Sequence, residues 1–308
     1  MSKLYSVRLC AWFLGAVLVC TSPVFAQTQT LEPGTPSKVW VSSPQGQNYD
    51  PQSVLQKLAA ADVIYLGETH DNANDHRAQF AIIQSLHQLN PDLAIAMEMF
   101  QRPYQSVLDR YLAGAISEAQ LKELTEYETR WGFSWEYYAP ILRFAKEHRL
   151  PVIALNTPTE VTRKVSRSGL ESTTLAERRF IPPMSEIRAE PDAYRERMRL
   201  LYQEIHQGKG SSRQFDRFFL AQILWDETMA ERVSQFLRAH PKTNLVVLAG
   251  QGHLIYGDGI PSRVARRMQR SQRGAPVQSL ILLNPAQEVT AKLDRPIADY
   301  FWNVQFSN

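Results

Sequence analysis

Three stretches of the sequence bring acid and imidazole groups to the ends of apolar runs. "VIYLGETHDN" (63–72) sets Glu68, Thr69, His70 and Asp71 directly after Val63–Leu66 and Gly67. "LVVLAGQGH" (245–253) repeats the Gly-x-x-His spacing and ends on His253. Between them, "LAIAMEMF" (93–100) buries Glu98 among alanines, methionines and Phe100. An ionised carboxylate in such company is costly unless it is paired or metal-bound. Two imidazoles and two carboxylates, Glu68, His70, Glu98 and His253, allow two kinds of chemistry. As mixed N/O ligands they suit Mn, Fe or Zn, and a metal-bound water would become a nucleophile. Without a metal, a histidine backed by a carboxylate can itself act as a general base. A hydrogen-bonded turn cap explains either histidine alone; it explains the repeated pair, with Glu98 on an intervening strand, less well.

Weaker candidates surround this set. "ETRWGFSWEYY" (128–138) contains Arg130, and its Tyr137 and Tyr138 suit the wall of a flat apolar pocket, while Trp131 and Trp135 read as packing core. Asp226, four residues after Gln222 in "AQILWDETMA", faces either the same rim or a buried capping role. His76 lies one turn into the first long helix and close to the rim in sequence. His87, His148, His206 and His240 read as surface or packing residues.

The elements that must position these groups are legible from periodicity. Apolar runs without alternation lie at 62–67, 93–100, 151–156, 244–250 and 278–284, the pattern of strands buried on both faces. Helical spacing separates them, around 74–89, 103–112, 117–129, 135–148, 213–240 and 261–270, with Asp71 or Asn72 as the first N-cap. The expected fold class is α/β, a mainly parallel sheet flanked by helices. Ligands of such sheets bind outside the carboxyl ends of the strands, where Glu68, His70, Glu98, Asn156 and His253 all fall. Gly67, Gly250 and Gly252 permit close approaches there. Residues 159–212, rich in Arg and Glu, break the alternation and read as a helical insertion over the carboxyl ends of the strands, or as a solvated helical appendage.

The first 26 residues read as a signal peptide. Lys3 and Arg8 precede an apolar core at 9–20, too short to span a bilayer, and "SPVFAQ" places a cleavage site after Ala26. The expected location is periplasmic or otherwise exported. A lipid anchor on Cys20 is disfavoured by bulky Val19. Residues 27–38 read as a flexible tether and 39–308 as the α/β domain. Both cysteines, Cys10 and Cys20, lie in the leader, so the mature chain offers no disulfide, thiolate nucleophile or Cys-ligated zinc. The net charge of +3, lowered by two when Lys3 and Arg8 are removed, gives no footing for nucleic acid.

Taken together, "VIYLGETHDN", "AMEMFQR", "RWGFSWEYYAPIL", "AQILWDETMA" and "GQGHLIYGDGIPSRV" resemble the ChaN-like haem-binding uptake proteins of the Tiki, TraB and erythromycin-esterase superfamily. The resemblance runs from about Val39 to the end. It implies an α/β sandwich with its functional rim at Gly67, Glu68, His70, Glu98, Gly250 and His253. It implies export and a role in haem or iron acquisition. Haem iron takes an axial tyrosine or histidine, which makes Tyr137, Tyr138, His76, Tyr194 and Tyr202 candidates and adds Arg130 and Asp226 as cofactor-binding residues. No CxxCH is present, so covalent attachment is excluded. Tiki relatives are metal-dependent proteases and erythromycin esterases use a histidine base, so a metal-dependent hydrolase on the same rim is the alternative. The partners expected are haem or a small molecule; peripheral membrane contact and a homodimer stay open. A third reading makes the polar strand ends mere caps of the sheet.

Overall fold

Each of the five apolar runs forms a strand of one sheet. The computed structural model describes residues 36–189, 191–205, 211–269, 274–285 and 295–306, so the leader and most of the tether lie outside the described residues. Among these the sheet has eight strands: β1 (Pro36–Ser42), β2 (Asn48–Tyr49), β3 (Val63–Glu68), β4 (Leu93–Gln101), β5 (Val152–Asn156), β6 (Asn244–Gly250), β7 (Gln278–Leu283) and β8 (Tyr300–Phe306). Their order is β2-β1-β8-β7-β3-β6-β4-β5. From β8 to β5 every pairing is parallel. Only β1 runs antiparallel, to β2 and to β8.

Strands β1, β2 and β8 carry no continuous apolar run because they form the half-exposed end of the sheet. β1 takes in Pro36, Ser37 and Lys38, which the sequence reads as tether. By contrast, β3, β4, β5 and β6 are buried at every position. Successive residues of these strands serve opposite faces. Ile64, Leu66, Ile95, Met97, Val246 and Leu248 meet one helical layer, which includes Pro51–Ala59, Ala73–Leu89 and Ala139–Glu147. Val63, Tyr65, Ala94, Ala96, Val247 and Ala249 meet the other, which includes Ser212–Ala239 and Ile260–Met268.

Two features of this topology make a site. From β3 the chain crosses β6 to reach β4, whereas from β6 it crosses β3 to reach β7. Neighbouring strands whose connections leave in opposite directions open a crevice at their carboxyl ends. In addition, the pairing of β4 with β5 breaks after Met97 and resumes at Gln101, and Glu98 sits in that break.

The insertion packs on the long helix Ser212–Ala239 through Thr159–Ser168 and Asp192–Ile205. With that helix it builds a small core around Tyr194, Met198, Phe215 and Phe219. Among the described residues no helix is long and apolar enough to cross a membrane.

Candidate functional site

At the end of β3, Glu68 pairs in register with Gly250 at the end of β6. Its buried carboxylate accepts three hydrogen bonds: from His70 Nδ1 at 2.7 Å, Tyr138 Oη at 2.5 Å and Gln79 Nε2 at 2.6 Å. His76 Nδ1 lies 3.7 Å away. Burial alone would raise the Glu68 pKa; the positive fields of His76 and His70 and the donated hydrogen bonds outweigh it, and the net shift is downward. Glu68 is therefore a carboxylate that fixes its neighbours.

Because Nδ1 of His70 faces Glu68, its Nε2 points the other way. Nε2 makes no hydrogen bond among the described residues. The ring is edge-on to Trp131 and tilted against Phe133, both at 4.9 Å. Burial pulls the His70 pKa down, but Glu68 more than restores it and the net shift is upward. An imidazole oriented by a carboxylate, with a second nitrogen left over, is the arrangement of a general base.

Glu98 and His253 form a second, deeper group. His253 Nδ1 is 2.6 Å from Asp226 Oδ1, and its Nε2 is 3.3 Å from Glu98 Oε1. The other oxygen of Glu98 accepts from the Gly250 N–H at 2.8 Å. The other oxygen of Asp226 accepts from Tyr194 Oη at 2.5 Å, a contact supplied by the insertion. Although burial opposes it, two facing carboxylates push His253 up to about 10. His253 in turn holds Glu98 at about 2 against the upward pull of burial. His253 is a fixed imidazolium with a carboxylate on each nitrogen, so it has no lone pair to offer a ligand or a proton.

Glu68, His70, Glu98 and His253 thus meet at adjacent strand ends, as two hydrogen-bonded pairs. They do not make the expected metal shell. Among the described residues no group of three or more His, Cys, Asp or Glu side chains is arranged to hold a metal ion. The physical reason is competition: the Glu68 carboxylate is engaged by His70, Tyr138 and Gln79, while Glu98 and His253 hold each other, with Gly250 and Asp226 on their far sides. The expectation of Mn, Fe or Zn at this rim finds no support.

The remaining candidates separate by burial. Tyr138 is fully buried and spends its hydroxyl on Glu68. His76 is buried, with Nε2 on the His70 carbonyl at 3.0 Å and Nδ1 on Gln79 at 3.2 Å. Tyr194 is committed to Asp226, and Tyr202 is buried within the insertion's core. Asp226 serves His253. Arg130 forms ion pairs with Glu160 at 2.8 Å and Glu126 at 3.1 Å and bonds Gln101, tying the start of the insertion to the end of β4. Tyr137 differs. It is half-buried, stacks on His76 at 4.4 Å, and touches only the Asp71 carbonyl with its hydroxyl, at 3.3 Å. It opens onto a groove of about 570 Å³ shared with Leu55, His76, Arg77, Phe80 and Trp302.

The sequence did not flag Gln79, Arg77 or the role of Tyr194. Gln79 follows His76 by three residues on one helix face, which was the available signal. Tyr194 is one of a few aromatics in a charged segment, with Phe180 and Tyr202, and its reach to Asp226 depends on tertiary packing alone.

The chain resembles known proteins along most of its length. It is 26% identical over 280 residues to Protein RETICULATA-RELATED 5, chloroplastic, of Arabidopsis thaliana, covering 85% of this chain and 36% of that one. It therefore spans about a third of that relative. Its fold matches ChaN of Campylobacter jejuni, solved with cofacial haem bound, with a TM-score of 0.68 at 16% identity, over 87% of this chain and 98% of the other. An erythromycin esterase variant in its open conformation aligns with a TM-score of 0.46 at 14% identity, over 88% and 83% of the two chains. Residues 54–264, more than half of the sequence, match the family model for haem-binding uptake, Tiki superfamily, ChaN. The chain belongs to the ChaN family of haem-binding uptake proteins in the Tiki superfamily.

Proposed function

We propose that this protein is an exported haem-binding protein of haem or iron acquisition, and that haem docks in the groove beside Tyr137. The observation that carries the reading is the placement of Tyr137. Tyr137 lines a groove, is half-buried, and among the described residues its hydroxyl makes one hydrogen bond, to the Asp71 carbonyl, whereas His76 beside it is held on both nitrogens. The groove fits the group. Its volume falls within the roughly 300–1,000 Å³ of ordinary small-molecule sites. Leu55, Phe80 and Trp302 supply apolar walls, and Arg77 supplies a cation for a propionate. When bound, haem supplies an iron that accepts an axial oxygen or nitrogen donor. Tyr137 would hold that iron through Oη, its phenolic proton passing to solvent at the mouth of the groove. His76, held on both nitrogens and stacked on the ring, orients it. Export rests on the basic, then apolar, leader at 1–26.

Titration of the mature protein with haemin tests this. The expected result is a saturable Soret shift at one stoichiometry. A spectrum that remains the sum of free haemin and protein overturns it.

The His70 geometry favours a second reading, acid–base hydrolysis without a metal. Nε2 of His70, oriented through Nδ1 by Glu68, would take the proton of an attacking water, and the His253 imidazolium beside Glu98 keeps the local charge balanced. An ester panel assayed with chelator present, using wild type and His70→Ala, separates this from the haem reading. Turnover lost in the variant supports it; no turnover on any ester removes it.

A further inference from the structure

We propose that Arg197, Arg295 and Tyr256 form a binding site for a small oxyanion, a carboxylate or phosphate, beside the loop that carries His253. The site is separate from the haem groove, which lies on the other face of the sheet. Arg197 follows Tyr194 by three residues, so one face of helix Asp192–Ile205 delivers both. Tyr194 reaches Asp226, and Arg197 reaches Asp258.

Charge is the first argument. Arg197 and Arg295 both pair with Oδ2 of Asp258. Two guanidiniums thus share one carboxylate oxygen, and among the described residues the cluster is one negative charge short. Nε and Nη2 of Arg197 are both buried without a hydrogen-bond partner, so its closeness to Asp258 is an ion pair and not a directed hydrogen bond. Burial and the charge of Arg295 lower the Arg197 pKa to about 10, a mark of like charges held together.

Shape is the second argument. Arg197 stacks over the Tyr256 ring at 4.4 Å and Arg295 lies 5.5 Å from the same ring. Both guanidinium planes are therefore oriented. Tyr256 has a φ of 61°, in the left-handed region that a bulky residue rarely adopts. Its N–H donates to the Ile297 carbonyl at 2.8 Å, which helps hold that conformation. Strain of this kind gathers at ligand-binding sites. Arg295 reaches solvent, its side chain 45% exposed, while the Asp258 it pairs with is buried. Paired guanidinium forks match the oxygens of a carboxylate or phosphate.

The test is calorimetric titration of the full mature chain with inorganic phosphate and, separately, with succinate, both without haemin. Saturable binding of either supports the site, and which of the two binds assigns its class. Arg295→Gln and Arg197→Gln should each weaken binding at least tenfold, while Arg110→Gln, on a distant exposed helix, should not. If Arg197→Gln proves misfolded by circular dichroism, Arg295→Gln decides, since its side chain is largely outside the core. No saturable binding of either anion, or equal binding by wild type and Arg295→Gln, overturns the proposal. Because no haemin is used, failure here is distinct from failure of the haem reading.

Discussion

His70 and Gly250 approach so closely that a Cβ on Gly250 would lie 2.8 Å from Nε2 of His70. The same glycine donates its N–H to Glu98. One residue without a side chain therefore joins the two hydrogen-bonded pairs of the rim. Gly250→Ala must push His70 off Glu68 or distort β6. Overpacking of this kind costs about 1–3 kcal/mol. Urea unfolding of the variant should show that loss, and the His70 imidazole resonances should move.

The coupling of His253 to Glu98 and Asp226 predicts a two-sided pH dependence of stability. Glu98 is held at about 2 in the folded protein, below the ordinary carboxylate range. Its contribution is complete above about pH 4–5 and is lost as the pH falls toward 2. His253 is raised to about 10. Its contribution is complete below about pH 6.5 and is lost as the pH rises through 10. The stability difference between wild type and His253→Gln, measured by denaturant titration, should therefore be greatest between about pH 5 and 7, where both contributions are whole. His253→Gln should flatten both limbs. It should also cost about 3–5 kcal/mol, because it leaves two buried carboxylates without their cation.

Tyr138→Phe removes one of the three donors to Glu68. A hydrogen bond to a buried charge contributes roughly 1.5–3 kcal/mol, so the melting temperature should drop by several degrees. With that donor gone, the Glu68 pKa should rise, detectable by carboxyl NMR. Haem affinity should change little, since the Tyr138 ring is fully buried. A large loss of haem binding in this variant would move the ligand from the groove to the rim.

Most of the parallel sheet was legible because β3, β4, β5 and β6 are buried on both faces and so read as unbroken apolar runs. The cap at Asn72 was legible too, its side chain accepting from Asn74 N at 3.0 Å. β1 and β8 were not, because strands at the half-exposed end of a sheet mix polar residues into their pattern. Glu98 announced itself as a charge in apolar company. What no local pattern shows is pairing. That Asp226 would take His253, or that Tyr138 would be consumed by Glu68, depends on where distant helices settle. The metal expectation finds no support among the described residues for the same reason: the residue types suit ligation, but the acids and imidazoles pair with one another.

The most direct measurement is a side-by-side haemin titration of wild type, Tyr137→Phe and Tyr138→Phe, followed at the Soret band. Wild type and Tyr138→Phe should bind saturably with the same spectrum. Tyr137→Phe should lose the tyrosinate-type spectrum and bind at least tenfold more weakly. An unchanged spectrum and affinity in Tyr137→Phe would contradict the assignment of haem to this groove.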